Sequence, residues 1–196
     1  MIKKILLDNG HSRQTPGKHS PDKSFYEWKW NREIAKRLKA KLDEEGIDSV
    51  LLVPEEDYDV PLRERARRAN AYGKDTLFIS IHSNAAGNGS WMTARGWSAF
   101  TSKGYTKSDD YCEIFVREAM AVLEPIGQKV RKYSAKKYGY EENFTVLKAT
   151  IMPAILTESM FYDNKKDLEF LQSEEGKEAI VQIHLNAIKK IISSSR

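Results

Sequence analysis

The feature that most constrains this 196-residue chain is a short apolar run, Leu77–Ile81, which is followed directly by His82. Two isoleucines, a leucine and a phenylalanine within five residues predict a central β-strand that is buried on both faces. Small residues and glycines over Asn84–Ser90 then predict a loop. Because open α/β sheets carry their chemistry at the carboxyl ends of strands, His82 is a candidate functional residue. A histidine that is satisfied by an ordinary hydrogen bond is the alternative interpretation.

Two other predicted strands also end near residues that bind metals or protons. Ile2–Leu7 leads through a short polar segment to His11, and Met152–Glu158 ends in a carboxylate. The remaining predicted strands are Ser49–Val53 and Trp97–Thr101. Helical patterns alternate with these strands, which predicts a single α/β domain. We expect a central, mostly parallel twisted sheet of about five or six strands, with helices on both faces.

The first long helix, predicted over Tyr26–Glu45 and stopped by Gly46, carries a carboxylate on its inward face. The inward stripe is Asn31, Ile34, Ala35, Leu38 and Leu42. Glu27 lies four residues before Asn31 and falls on the same stripe, whereas Glu33 shares its face with other charged residues. A carboxylate on an apolar stripe requires a cation or hydrogen bonds. Glu27 is therefore a second candidate functional residue.

Composition narrows the classes of function without naming one. Lys and Arg exceed Asp and Glu by 32 to 28, a net charge of +4, which is compatible with nucleic acid, an anionic cell-wall polymer or no partner. The single Cys112 excludes an intramolecular disulfide framework and a cysteine-based zinc site. Asp8 ends the apolar start too early for a signal peptide, and no stretch is long enough to span a membrane. We therefore expect synthesis in the cytoplasm and no membrane insertion.

Four further helices follow from apolar periodicity and capping residues. They are Leu62–Tyr72, Asp109–Leu123 with Ser108 as its N-cap, Asn164–Leu171, and Glu174–Ile192 followed by a frayed tail, Ser193–Arg196. The first of them carries arginines at positions 63, 65, 67 and 68. Glu64 interrupts these arginines and no aromatic ladder accompanies them, so we expect a solvated face and no nucleic-acid partner. The charged, glycine-broken segment Arg131–Asn143 is expected to be a surface loop.

Four candidate residues converge at one edge of the predicted sheet. His11, His82 and Glu158 follow strands, and Glu27 begins the first long helix, so we expect them to meet in one crevice. Two imidazoles and a carboxylate are the ligand set of a catalytic zinc ion, and a second carboxylate serves as the general base that hydrolysis requires. Sequence signatures of helix-based zinc proteases, serine hydrolases, phosphate loops and dinucleotide sites are absent. Trp91 and Trp97 flank the loop and are candidates for the lining of the site or for the core.

Five motifs resemble, in order, those of the zinc-dependent N-acetylmuramoyl-L-alanine amidases of the amidase-3 type. They are Asp8-Asn9-Gly10-His11, Tyr26-Glu27, Leu62-x-x-Arg65 with Ala69-Asn70, Ser80-Ile81-His82-Ser83-Asn84-Ala85, and Pro153-Ala154-Ile155-Leu156-Thr157-Glu158 with Phe161 and Asn164. The resemblance runs in register from the first strand to the last helix. It departs from the family where Ser12-Arg13, in place of Gly-Gly, follow the first histidine.

The resemblance implies one zinc ion per chain, held by His11, Glu27 and His82, with Glu158 as the catalytic carboxylate. It implies hydrolysis of the amide between N-acetylmuramic acid and L-alanine, with peptidoglycan as the substrate. Asn84 is a candidate substrate-binding residue. The alternatives are a zinc peptidase that cuts within the stem peptide and a non-catalytic peptidoglycan-binding domain.

The resemblance also sets expectations about organisation and location. We expect residues 1–196 to form a single catalytic amidase domain with no separate cell-wall-binding module. A cell-wall hydrolase without a signal peptide suggests a phage or prophage endolysin, which acts on the wall after release from the cytoplasm. A cytoplasmic recycling enzyme is the alternative. The net charge of +4 would draw the protein to anionic wall polymers, an effect that salt weakens.

Overall fold

The computed structural model describes residues 1–55, 57–87, 89–135 and 137–194. The strands are β1 (Lys4–Asn9), β2 (Ser49–Leu51), β3 (Thr76–Asn84), β4 (Ser98–Thr101), β5 (Tyr140–Glu141) and β6 (Ala154–Phe161). The helices are α1 (Glu27–Glu44), α2 (Leu62–Asn70), α3 (Lys107–Leu123), α4 (Thr145–Lys148), α5 (Lys165–Gln172) and α6 (Glu174–Ser194). A 3₁₀ turn, Glu124–Ile126, follows α3. The predicted tail is helical through Ser194, and its last two residues lie outside the described part of the chain.

The strands form one six-stranded sheet in the order β2–β1–β3–β6–β4–β5. Strands β2, β1, β3 and β6 run parallel to one another, β4 is antiparallel to β6, and β5 is parallel to β4. This arrangement confirms the predicted fold class, a single α/β domain with a mostly parallel sheet. The carboxyl ends of β1, β3 and β6 therefore lie side by side at one edge, which is where parallel sheets carry functional groups.

Strand β3 is buried on both faces because its side chains alternate between two apolar clusters. Leu77, Ile79 and Ile81 pack into the larger cluster, which includes residues of α1, α3 and α6. Phe78 packs into a smaller cluster with Val146 of α4 on the other face of the sheet. The continuous apolar pattern of the sequence is thus the consequence of helices on both faces.

The strands that carry His82 and Glu158 extend further than predicted. Strand β3 continues to Asn84 and β6 continues to Phe161, so both residues lie inside strands and pair in register. The register then shifts, because two steps along β3 match three along β6. Met160, buried with a φ of 60°, lies in this β-bulge.

Two local predictions are corrected by the structure, and one short helix was not predicted. Helix α3 begins at Lys107 and is capped by Thr106, not Ser108, because Thr106 and Asp109 form a reciprocal capping box. The predicted loop Arg131–Asn143 contains β5, which extends the sheet through β4, and its position 136 lies outside the described residues. The single-turn helix α4 has too few residues to show a periodic pattern. None of the helices formed by the described residues is long and apolar enough to cross a bilayer.

Candidate active site

The structure brings His11, Glu27, His82 and Glu158 to the carboxyl edge of the sheet. His11 lies two residues beyond β1, and His82 and Glu158 are register partners in β3 and β6. Glu27 is the first residue of α1, and its backbone N–H donates to the carbonyl of Lys18 at 2.9 Å. The strand ends and the helix start thus deliver the four side chains to one crevice, as the pattern of apolar residues predicts.

Three of these residues form a compact donor group. One ligand atom from each of His11, Glu27 and His82 lies within 4.8 Å of the other two. Nε2 of His11 is 3.3 Å from Oε2 of Glu27, and Nδ1 of His82 is 3.1 Å from Oε1 of Glu27. The two imidazole rings stand nearly perpendicular, at 88°, with centroids 4.9 Å apart. This group could hold a metal ion.

Glu27 is held as a buried carboxylate. Its side chain is 2% exposed, and Oε1 also accepts from the backbone N–H of Ser83 at 3.2 Å. Burial by itself raises the pKa of Glu27, but hydrogen bonds and charges from His11 and His82 outweigh it and keep the pKa well below its usual range. The carboxylate is therefore ionised at neutral pH, as metal binding requires.

The backbone next to the group is shaped for the His82 ring. A Cβ added to Gly10 would lie 2.0 Å from Cε1 of His82, so only glycine leaves room for the imidazole. The Gly10 carbonyl accepts from the amide of Asn31 at 3.1 Å, which ties the loop to α1. His11 follows with a φ of 66°, a conformation that a non-glycine residue adopts at a cost of roughly 1–3 kcal/mol. Backbone strain of this kind is common at functional sites.

Glu158 lies in the crevice without a partner for one of its oxygens. Oε2 is buried and makes no hydrogen bond within the described chain. Burial raises the pKa of Glu158 well above its usual value, the negative charge of Glu27 raises it further, and the positive charge of Lys18 partly opposes both. Glu27 and Glu158 are thus two neighbouring carboxyls whose surroundings separate their pKa values, an arrangement typical of acid–base sites.

A cavity of about 440 Å³ joins these groups to solvent. His11, His82 and Glu158 line it, together with Lys18. The apolar part of the lining comes from the segment before α2, from the α4 region and from β6: Val60, Pro61, Leu62, Phe144, Val146 and Leu156. Further polar lining is supplied by Asp8, Thr15, Asp59, Arg65 and Thr145. The cavity combines a few converging polar groups with apolar surroundings, as ligand sites commonly do.

The tryptophans and Asn84 lie away from this cavity. Trp97 is fully buried in the larger core, and Trp91 lies on the surface under the ammonium group of Lys165. The prediction that they line the site is therefore wrong, and the core alternative holds for Trp97. Asn84 ends β3 and its side-chain oxygen accepts from the N–H of Ala85 at 2.8 Å. Its predicted contact with substrate stays a prediction.

Sequence reasoning places Arg65 in a motif but misses its buried role. The predicted solvated arginine face is wrong at this position, because Arg65 is 1% exposed. It donates to Oδ1 of Asp8 at 2.7 Å, and to the carbonyls of Asn9 and Val60 at 3.1 and 2.8 Å. Asp8, which is also 1% exposed, is the sequence feature that could have predicted the burial of Arg65, because a carboxylate at the end of a buried strand requires a buried cation.

With this geometry in hand, comparison with known proteins identifies the family. Residues 5–190 match the model of the family Amidase_3, described as N-acetylmuramoyl-L-alanine amidase. The chain belongs to this amidase family. The match covers almost the whole described sheet and the five motifs, so the predicted family is confirmed.

Curated relatives of this amidase cover nearly all of the chain. It is 31% identical over 195 residues to the N-acetylmuramoyl-L-alanine amidase CwlM of Bacillus licheniformis, covering 98% of this chain and 70% of that protein. It is 28% identical over 194 residues to the endolysin of Bacillus phage SPP1, covering 98% of this chain and 67% of that protein. The chain thus spans about two thirds of the length of these relatives. They support the predicted enzyme class, an amidase that acts on peptidoglycan.

Solved structures confirm the fold. The crystal structure of the N-acetylmuramoyl-L-alanine amidase from Clostridium difficile 630 superposes with a TM-score of 0.86 at 25% identity, covering 100% of this chain and 99% of that one. The catalytic domain of the CD27L endolysin superposes with a TM-score of 0.73 at 19% identity, over 96% and 97% of the two chains. The second likeness concerns the fold alone.

Proposed function

We propose that this amidase hydrolyses the bond between the lactyl group of N-acetylmuramic acid and the L-alanine of the stem peptide, with one zinc ion held by His11, Glu27 and His82. The observation that carries the proposal is a compact His–Glu–His donor group whose two histidines line one cavity together with Glu158. Family membership supports the choice of bond, and the donor group supports the choice of metal.

The donor group fits a catalytic zinc ion in its chemistry. Two imidazole nitrogens and one carboxylate oxygen are a known ligand set of catalytic zinc, which keeps a further position open. The low pKa of Glu27 supplies an ionised ligand, and His11 and His82 both line the cavity that substrate would enter. When bound there, zinc would polarise the substrate carbonyl and lower the pKa of the attacking water.

Glu158 is proposed as the general base and then the general acid. Its buried Oε2 atom requires a partner that the described protein does not supply, and a water molecule that enters the cavity would be that partner. Glu158 takes a proton from the water as it attacks and returns it to the nitrogen of the departing L-alanine. A carboxyl whose pKa is raised is suited to hold a proton between these steps near neutral pH. No covalent bond between protein and substrate is needed.

The apolar lining sets the surroundings of the reacting amide. A cavity of about 440 Å³ lined by Val60, Phe144 and Leu156 accommodates a short peptide segment more readily than a polymer. We propose that the start of the stem peptide enters here while the glycan stays outside. Apolar contacts around the amide also limit the access of bulk water to Glu158.

The test is an end-group analysis of purified peptidoglycan after digestion with zinc-loaded protein. The wild type is expected to release new N-terminal alanine without new reducing sugar. Glu158→Gln, which keeps the shape of the side chain and removes its basicity, is expected to lower the rate about 100- to 10,000-fold and to keep its zinc. New amino ends from other stem residues would show a peptidase instead. No new ends from any wall tested would show a binding domain.

We also propose that the chain acts on the assembled wall, as an endolysin does, and not on soluble wall fragments. The extended similarity to a phage endolysin supports this setting. A comparison of rates on intact sacculi and on soluble muropeptides tests it. Faster cleavage of the soluble fragments would favour a recycling enzyme. Weaker binding to sacculi at high salt would support attraction of the net charge of +4 to anionic wall polymers.

A further inference from the structure

Behind His82 lies a buried chain of hydrogen bonds that reaches helix α2. Arg65 donates to Oδ1 of Asp8 at 2.7 Å, and the hydroxyl of Ser80 donates to Oδ2 of the same carboxylate at 2.6 Å. Oγ of Ser80 is in turn 3.2 Å from Nε2 of His82. Arg65, Asp8 and Ser80 are each at most 1% exposed, so bulk water competes little for these bonds.

The direction of these bonds fixes the proton on His82. A carboxylate that is paired with arginine only accepts, so Ser80 gives its single hydroxyl hydrogen to Asp8. Oγ of Ser80 then has only lone pairs to offer to His82, and Nε2 of His82 has to be the protonated ring nitrogen. Nδ1 is then the ring nitrogen left to bind a cation, either a proton in the metal-free protein or a metal ion, and it lies 3.1 Å from Oε1 of Glu27.

This tautomer places two acceptors opposite each other in the donor group. The lone pair of Nδ1 and the carboxylate oxygen of Glu27 lie 3.1 Å apart and repel each other unless a cation lies beside both, either a proton on Nδ1 in the metal-free protein or a metal ion. Nε2 of His11 lies 3.3 Å from the other oxygen of Glu27 and completes the set. The arrangement is therefore preorganised for a cation by residues that do not touch it.

We propose that Arg65, Asp8 and Ser80 are positioning residues that hold His82 in its Nε2-protonated tautomer, so that it binds zinc through Nδ1. Among the described residues no such chain reaches His11, which presents Nε2 to the same carboxylate. The inference rests on the proposed zinc site. It adds that the two histidines bind zinc through different ring nitrogens, Nδ1 of His82 and Nε2 of His11. Arg65 of helix α2, through Asp8 and Ser80, determines which nitrogen His82 uses.

Zinc affinity is the first test, and it does not depend on catalysis. The metal-free wild type, Ser80→Ala and Ser49→Ala are each titrated with zinc against a competing chelator. Ser49 is a matched control, because its hydroxyl is also buried but has no hydrogen-bond partner within the described chain and lies on edge strand β2. Ser80→Ala is expected to weaken zinc binding about 10- to 100-fold, and Ser49→Ala is expected to leave it unchanged.

A spectroscopic test reads the tautomer directly. The chain has four histidines, so His19→Gln and His184→Gln variants identify two of the imidazoles in ¹⁵N spectra of the zinc-loaded protein, and through-bond correlation to the backbone distinguishes His11 from His82. His82 is expected to show a zinc-bound Nδ1 and a protonated Nε2, and His11 the opposite pattern. A His82 that binds zinc through Nε2, or a Ser80→Ala variant with wild-type affinity, would overturn the proposal. A wild type that binds no zinc at all would instead overturn the proposed function.

Discussion

Two largely buried histidines of this amidase have opposite surroundings. His184 of α6 is fully buried and has neutral partners: Nδ1 lies 2.7 Å from the carbonyl of Ile180, and Nε2 lies 3.0 Å from the hydroxyl of Thr157. His82 lines a cavity, and a buried carboxylate and a serine that bonds to another carboxylate lie beside its two nitrogens. One ring has all its hydrogen bonds within the apolar core, and the other is arranged for a cation. The residue type alone does not distinguish them; the charge of the partners does.

The same substitution at both histidines tests most directly whether their roles differ. His82→Gln removes one of three proposed ligands, so zinc affinity is expected to fall by more than the roughly 10- to 100-fold that loss of an outer partner costs. Amidase activity is expected to fall with it. His184→Gln is expected to keep both zinc affinity and turnover per folded molecule. Chelator competition and the release of N-terminal alanine measure the two effects, and equal losses in both variants would contradict the distinction.

The next largest effect is expected at the buried cation behind His82. Arg65→Met leaves Asp8 as a buried charge without its partner, which is expected to lower the free energy of unfolding by about 3–5 kcal/mol. Arg63→Met is the matched control, since Arg63 lies on the exposed face of the same helix α2. Denaturant unfolding of the metal-free proteins measures the difference. Similar stabilities for the two variants would show that Asp8 does not depend on Arg65.

Arg65 also marks the limit of what the sequence could predict. A helical stripe is a local pattern, so the sequence predicts Glu27, and it predicts His82 and Glu158 because parallel strands align their carboxyl ends. The burial of Arg65 depends instead on Asp8, which is 57 residues away, and its helix carries three other arginines with the same local pattern. Pairing between distant charges is a property of the tertiary structure, so a single sequence does not specify it.

The smaller errors of prediction concern the ends of helices and strands. Thr106 and Ser108 both have the hydroxyl of an N-cap, and the choice of Thr106 depends on the reciprocal bond from its N–H to Asp109 at 2.8 Å. The strands continue beyond His82 and Glu158 because their backbones pair with each other, even though the next residues, Ser83, Asn84 and Ser159, are polar. Polar residues at a site therefore look like loop residues in the sequence and lie inside strands in the structure.

The third effect concerns pH and belongs to His184. Burial lowers the pKa of His184 to about 4, below the value of 6.5 for an exposed histidine. The unfolded chain binds a proton below pH 6.5 and the folded chain does not, so this contribution to stability is complete above pH 6.5 and is lost as the pH falls towards 4. The gap corresponds to about 3 kcal/mol. His184→Gln is expected to show a shallower loss of unfolding free energy over this range, and an unchanged slope would contradict the assignment.

The smallest effect compares two hydroxyl groups, each of which bonds to a histidine. Thr157→Val keeps the shape of the side chain and leaves Nε2 of His184 as a buried acceptor without a donor, which is expected to cost about 1–3 kcal/mol of stability. Zinc affinity is expected to stay at the wild-type value, although Thr157 precedes Glu158 in β6. Ser80→Ala removes the equivalent contact from His82 and is expected to change zinc affinity. Unfolding and zinc titration of both variants test this difference. If Thr157→Val also weakened zinc binding, a general loss of sheet stability would explain both results. The hydrogen-bond chain from Arg65 to His82 would then have no specific role.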